Sequence, residues 1–295
     1  MIATHSITRV LVPYNFSESS ASALAVAIHV CKRHNAGLTI LNVTTGSPAV
    51  FTAASGVVAN IVATDRLQTM NARLRKVADD IAGNSGLEVN SIVRTGEPVD
   101  RVCDWAMQDG TSLIIVGIDR SFGLFKALFE SVAEEILRKA PCAVLTVPAK
   151  SNRINFKKIL FPVRTGIDPI DKYAQTKAFV RVNNSSVIID AFTSSYRYSS
   201  YSKLNDLMEE LVDEVSKDSV SCAGFIRHTH DPARSVLLAA EVHDSDLIVI
   251  TATNDSSFKN FLYKPYTKYI VNHSSVPVLC IQPAKLPSRL SQSVA

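Results

Sequence analysis

Along the whole chain, short apolar runs alternate with longer segments in which apolar residues recur every three or four positions. In the first half the runs VLVPY (10–14), LTILNV (38–43), LEVNSIV (87–93), SLIIVG (112–117) and AVLTV (143–147) predict strands. Most are nearly unbroken Val, Ile and Leu, as strands covered on both faces must be. The helical period between them predicts helices near 18–34, 63–83, 97–108 and 130–140. In the first of these, Leu24, Ala27, Ile28 and Cys31 share a face. Ser17 is placed to cap its start, and Gly37 follows its end.

The pattern then restarts. RVLVPYN (9–15) recurs as KILFPVR (158–164), TSLIIVG (111–117) as SDLIVIT (245–251), and APCAVLTVP (140–148) as SSVPVLCIQP (274–283). Pro98 and Pro232 occupy equivalent helix starts. From Gly96 to Pro148 the second copy follows at a constant offset of 134, against 149 near the start, so the first copy carries about fifteen extra residues. Each copy is a β-α-β-α unit of about 140 residues, which predicts an α/β fold with a parallel, doubly wound sheet. The boundary falls in the polar PAKSNRIN (148–155), giving domains 1–150 and 151–295, with a disordered tail over 284–295.

Composition narrows the picture only a little. The 295 residues are 46% hydrophobic and 20% charged, with a net charge of +4. The first 150 residues hold 14 basic and 13 acidic side chains and the remainder 17 and 14, so neither half has the basic excess of a nucleic-acid binder. No apolar run reaches the roughly 18 residues of a membrane span, and the N-terminus lacks the order of a signal peptide. Cys31, Cys103, Cys142, Cys222 and Cys280 are odd in number and widely spaced. They read as buried free thiols of a cytoplasmic protein.

Two blocks carry a family resemblance. ITRVLVPYNFSESSASALAVAIHVCKRHNAGLTILNV and LIIVGIDRSFGLFKALFESVAEEILRKAPCAVLTVP resemble the opening and closing segments of a universal stress protein, and the second copy repeats them more weakly. The resemblance implies two tandem five-stranded parallel sheets of the Rossmann-like, adenine nucleotide alpha hydrolase-like kind. It also implies dimer-like pairing of the two units through their last strands, within one chain. Homodimerisation of the whole chain stays open. Family members that bind ATP carry G-2x-G-9x-G-(S/T) after strand four and an aspartate after strand one.

Against that pattern, Gly117 fits the first position and Ser131 the last; Arg120 and Glu130 replace the second and third glycines, and Asn15 stands for the aspartate. Val43 matches a position that lines the adenine pocket. Glycines there let backbone approach phosphate, and a helix N-terminus attracts an anion. Glu130 at that terminus offers its own carboxylate instead. One expectation is therefore a plugged first copy; the other is ATP held in the first copy alone, gripped by Arg120. In the second copy the positions are Thr251, Asn254, Lys264 and Pro265, with Arg164 after strand one, and no motif glycine remains.

Other features are weaker. His228 and His230 share a strand face but have no further ligand cluster in sequence, so they read as a solvated strand end and no metal is expected. The apolar segment 47–65 is either a lid or docking element, or an extension packed on the body. Ser17, Asp119 and Asp168 read as caps and turns. No catalytic triad, G-x-S-x-G elbow or Walker loop is present. The expectation is a non-catalytic stress-response regulator, sensor or partner-binding module without nucleic-acid or membrane partners.

Overall fold

The computed structural model describes residues 6–45, 56–119, 126–164, 168–194, 196–252 and 266–282. The first half runs β1 (Arg9–Pro13), α1 (Glu18–His34), β2 (Gly37–Thr44), α2 (Gly56–Ser85), β3 (Val89–Thr95), α3 (Pro98–Gln108), β4 (Leu113–Ile118), α4 (Lys126–Lys139) and β5 (Ala143–Pro148). The second repeats it as β6 (Lys158–Val163), α5 (Pro169–Asn183), β7 (Ser186–Thr193), α6 (Tyr198–Lys217), β8 (Cys222–His228), α7 (Pro232–Val242), β9 (Leu247–Thr251), α8 (Tyr266–His273) and β10 (Val278–Ile281).

Within each half all strand pairs are parallel, in the orders β3-β2-β1-β4-β5 and β8-β7-β6-β9-β10. The two five-stranded parallel sheets pair through their last strands, as the resemblance implies: an antiparallel β5–β10 pair joins them into one ten-stranded sheet. The reason lies in the edges. Val144, Leu145, Leu279 and Cys280 are all buried, and an apolar edge strand left unpaired would present open backbone donors and acceptors. Leu145 sits opposite Leu279 in that pair, its own equivalent at the offset of 134. That pair marks a pseudo-two-fold axis.

Helices cover both faces. The buried cluster on one face draws on α1, α2, α5 and α6, and that on the other on α3, α4, α7 and α8. Local signals explain most boundaries. The Ser17 side chain accepts from the Ser20 amide, and Asp168 accepts from the amides of Ile170 and Asp171. Pro98 and Pro232 occupy first-turn positions of α3 and α7. The α1 terminus differs from expectation: Asn35, not Gly37, adopts the left-handed conformation at φ 51° and closes the helix onto the Cys31 carbonyl. Asn184 does the same for α5 at φ 49°. Asparagine tolerates that conformation because its short side chain bonds locally.

Three further differences concern length and linkage. α2 begins at Gly56, so the later part of the apolar segment is helical, and residues 46–55 lie outside the described residues. α4 begins at Lys126, earlier than the expected start near 130. The halves also meet away from the sheet. Arg33 of α1 donates to the Ile154 carbonyl at 2.6 Å, to Asn183 at 2.8 Å and to Asn155 at 2.9 Å, and His34 stacks on Phe179. The tail over 284–295, expected to be disordered, lies outside the described residues. All five cysteines are free thiols. Among the described residues no helix is long and apolar enough to cross a membrane.

Candidate functional site

In an open α/β sheet the ligand crevice lies beyond the carboxyl ends of the two strands where the winding reverses. In this molecule that means β1 with β4 in the first half, and β6 with β9 in the second. The two crevices have the same backbone plan and different contents.

In the first half, β1 leads into a tight turn. Phe16 is left-handed at φ 64°. Asn15 Oδ1 accepts from the Ser17 amide at 3.1 Å, and Ser17 Oγ accepts from the Ser20 amide at 3.2 Å. Asn15 thus shapes the turn that starts α1, with its carboxamide engaged by the backbone. Tyr14 meets Phe16 edge-on at 5.0 Å, and Arg73 of α2 lies 4.5 Å above the Phe16 ring. Beneath, buried Asn42 donates to the Tyr14 carbonyl at 2.7 Å, while its Oδ1 is buried without a partner among the described residues.

Gly117 stands opposite, at the end of β4. A β-carbon there would lie 2.1 Å from the Ser19 carbonyl oxygen and 2.8 Å from the Ser20 nitrogen. Only glycine lets the first turn of α1 settle against this strand end. The structure therefore brings Asn15 and Gly117 to one crevice. Val43 lies one strand further out and packs against the α3–α4 face. Arg120 lies outside the described residues. Glu130 and Ser131 fall in α4 after its first four residues, and only the first four amides of a helix lack ladder partners.

The second crevice is closed by residues that sequence reasoning largely missed. Lys172 projects from the buried stripe of α5 that also holds Pro169, Tyr173 and Thr176, and is 3% exposed. Its Nζ donates to the Pro162 carbonyl at the end of β6 and lies 3.8 Å from the Phe161 ring centroid. Burial first, and Arg164 second, hold its amine well below the ordinary lysine range. Arg164 covers the Tyr266 ring at 3.9 Å. Desolvation pushes the Tyr266 phenol up, against the pull of Arg164. Thr251 stands where the first half has Gly117. Asn254, Lys264 and Pro265 lie outside the described residues.

Behind this cluster runs a polar chain. Asp190 of β7 is fully buried, with Arg227 Nε 2.9 Å from Oδ2, and Arg227 reaches His243 at 3.1 Å. Burial pushes the Asp190 carboxyl up to about 6, with Arg227 opposing. A signal for Lys172 was present in the sequence. At the offset of 149 it aligns with Ala23, and a lysine inside an apolar helix stripe is seldom fully buried without a reason. His228 and His230 join an aromatic group: Tyr196 stacks on His228 at 3.7 Å, and His230 meets His228 at 5.0 Å. Among the described residues no three His, Cys, Asp or Glu side chains converge as metal ligands.

Comparison with known proteins agrees with this plan. The model of the universal stress protein family matches residues 6–148 and 180–282. Universal stress protein YxiE of Bacillus subtilis is 32% identical over 146 residues, 97% of its length and 47% of this chain. Universal stress protein MJ0531 of Methanocaldococcus jannaschii is 25% identical over 142 residues, 81% of its length and 47% of this chain. The crystal structure of a universal stress protein from Archaeoglobus fulgidus superposes with a TM-score of 0.72 at 15% identity, covering 95% of this chain and 97% of that one. The fold is the Rossmann-like, adenine nucleotide alpha hydrolase-like fold. With the family pattern matched in both halves, this chain belongs to the universal stress protein family.

Proposed function

We propose that this chain is a non-catalytic regulator of the stress response that works through its surfaces, its nucleotide motif degenerate in both halves. The observation that carries the reading is the second crevice. Lys172, Arg164, Thr251 and Tyr266 leave a hollow of about 10 Å³ there, against the roughly 300–1,000 Å³ of a small-molecule site. In the first half the reading draws on Asn15, whose carboxamide serves the α1 turn. The five free thiols suit a reducing cytoplasm. Exposed Tyr196 and Tyr198, at 81% and 84% exposure, suit contact with a protein partner.

A second reading is ATP held in the first half alone, by Asn15, Val43, Gly117, Arg120 and Ser131. Ala23 favours it, because that position carries no side chain long enough to reach the strand end as Lys172 does. Calorimetric titration with ATP separates the two. The regulator reading expects no saturable binding below about 1 mM. Micromolar binding that Asn15→Ala weakens would establish the second reading and overturn the first.

A further inference from the structure

A larger hollow lies at the seam between the halves and shares no residue with either crevice. It opens where the starts of β4 and β5 meet the end of β10, with α5 alongside, and its volume is about 260 Å³. Its walls are the buried, apolar Leu113, Phe179, Leu279 and Ile281. Among the described residues, no charged side chain lines it. Burial pushes the Cys142 thiol at its edge up to about 12, so the thiol stays protonated. The Ser112 hydroxyl donates to the Arg9 carbonyl at 2.8 Å and accepts from the amides of Thr8 and Arg9. Gln175 and Gln282 each donate to the protein, to Asp171 Oδ2 and to the Leu137 carbonyl. A carboxamide has capacity beyond one such bond, so these two give the hollow a polar edge without charge.

The pseudo-two-fold axis shows what chemistry suits this space. At the offset of 149, Ile7, which lines the hollow, aligns with Phe156, and Val182 aligns with Arg33. Phe156 is fully buried and packs on Phe179 with ring centroids 5.3 Å apart. Arg33 closes that side through Ile154, Asn155 and Asn183. On the open side Ile7 supplies no ring, and Val182 is 44% exposed and has no group to make such bonds. One side of the axis is thus filled by an aromatic ring where the other is left hollow. An apolar cavity of roughly 150 Å³ already takes benzene, so the larger volume has room for a second ring. An uncharged molecule also leaves no charge to desolvate. We propose that the seam pocket binds one uncharged, apolar molecule of one or two fused rings, packed on Ile7, Phe179 and Ile281, with its polar atom toward Gln175 or Gln282. The site stands whether or not ATP binds in the first half.

The test uses the full chain and indole, an uncharged fused ring with one N–H donor. The expected result is a saturable rise in melting temperature, reaching about 3 °C at a tenfold excess over the midpoint. Indole-3-acetate, the same ring with a carboxylate, should need about tenfold more or fail to bind. Ile7→Phe gives this side the ring that Phe156 gives the other and should abolish the saturable rise. Leu238→Ala, at an exposed position of α7, should keep it. Crystals soaked in 5-bromoindole should show an anomalous peak between Phe179 and Ile281, a readout that does not depend on any variant folding. A response that is linear in indole, that is matched by the acetate, or that survives in Ile7→Phe overturns the proposal. So does a soaked crystal whose pocket holds only water, or holds chain segment 1–5 or 283–295.

Discussion

The two crevices share a backbone, and four of the side chains in which they differ set the contrast. Where the first half has Ala23, Leu41, Asn15 and Gly117, the second has Lys172, Asp190, Arg164 and Thr251. Strand order, helix placement and the left-handed caps Asn35 and Asn184 survive the divergence. The carboxyl ends of the central strands do not. The sheet and its two apolar faces are held by many residues in common, so each position is constrained. The strand ends are held by only a few. Three of the four changes in the second half add charge or hydrogen-bonding groups to a place the first half keeps small or apolar. Lys172 donates to the Pro162 carbonyl, Arg164 covers the Tyr266 ring, and Asp190 pairs with Arg227.

The sharpest way to break the comparison is to move one residue across it. Gly117→Thr gives the first half the side chain that the second half has at Thr251. The added β-carbon would lie 2.1 Å from the Ser19 carbonyl oxygen, so α1 must shift or the strand end must bend. The expected cost is about 3 kcal/mol or more, seen as a fall of about 5 °C or more in melting temperature. A variant that melts with the parent protein would show that α1 does not rely on close approach to β4.

Asp190 offers a pH test confined to the second half. Its folded pKa of about 6 lies above the ordinary 3.8. The buried carboxyl therefore stabilises the fold most when protonated, and that contribution is lost as pH rises through about 6. Arg227 from β8 and Tyr266 from α8 face it, and His243 lies behind Arg227. His243 has its own pKa lowered by burial and by Arg227, but it is present in parent and variant alike. Asp190→Asn should thus gain on the parent by about 2 kcal/mol between pH 4 and pH 8. Denaturant titrations across that range measure it, and a difference that stays flat would mean Asp190 is ionised throughout.

How much of this was legible in the sequence follows the same division. The α1 bounds, the Ser17 and Asp168 caps and the proline-led α3 and α7 follow from local rules that tertiary contacts did not override. The internal repeat gave the order of elements. The single ten-stranded sheet could not be read from periodicity, because the β5–β10 pairing is a long-range choice. The family resemblance anticipated that pairing through the last strands. At the site, Gly117 reads as a phosphate glycine in sequence, and its tight contact with Ser19 is visible only in three dimensions. Lys172 was hidden because its neighbours in sequence are surface-like, and only the alignment with Ala23 exposes it. The sequence puts the start of α4 near Glu130, because the run before it reads as a loop, whereas the helix begins at Lys126.

The smallest effect lies on the pseudo-two-fold axis itself. Lys268 Nζ is 2.7 Å from Glu134 Oε2, and Asn272 donates to Oε1 of the same carboxylate at 2.9 Å. Glu134 and Lys268 are equivalent positions at the offset of 134. Two identical first halves paired in this way would set Glu134 against its own copy, a like-charge contact. The tandem chain replaces that repulsion with an ion pair, which favours pairing within the chain over pairing of first halves between chains. Lys268 is half exposed, so the attraction is modest and screened by salt. A double-mutant cycle with Glu134→Ala and Lys268→Ala should give a coupling of about 0.5 kcal/mol at low salt, shrinking as salt is added. Lys268→Glu should cost slightly more than Lys268→Ala, by restoring the repulsion. A coupling above about 2 kcal/mol would mean that the helix pair, not the buried β5–β10 seam, holds the halves together.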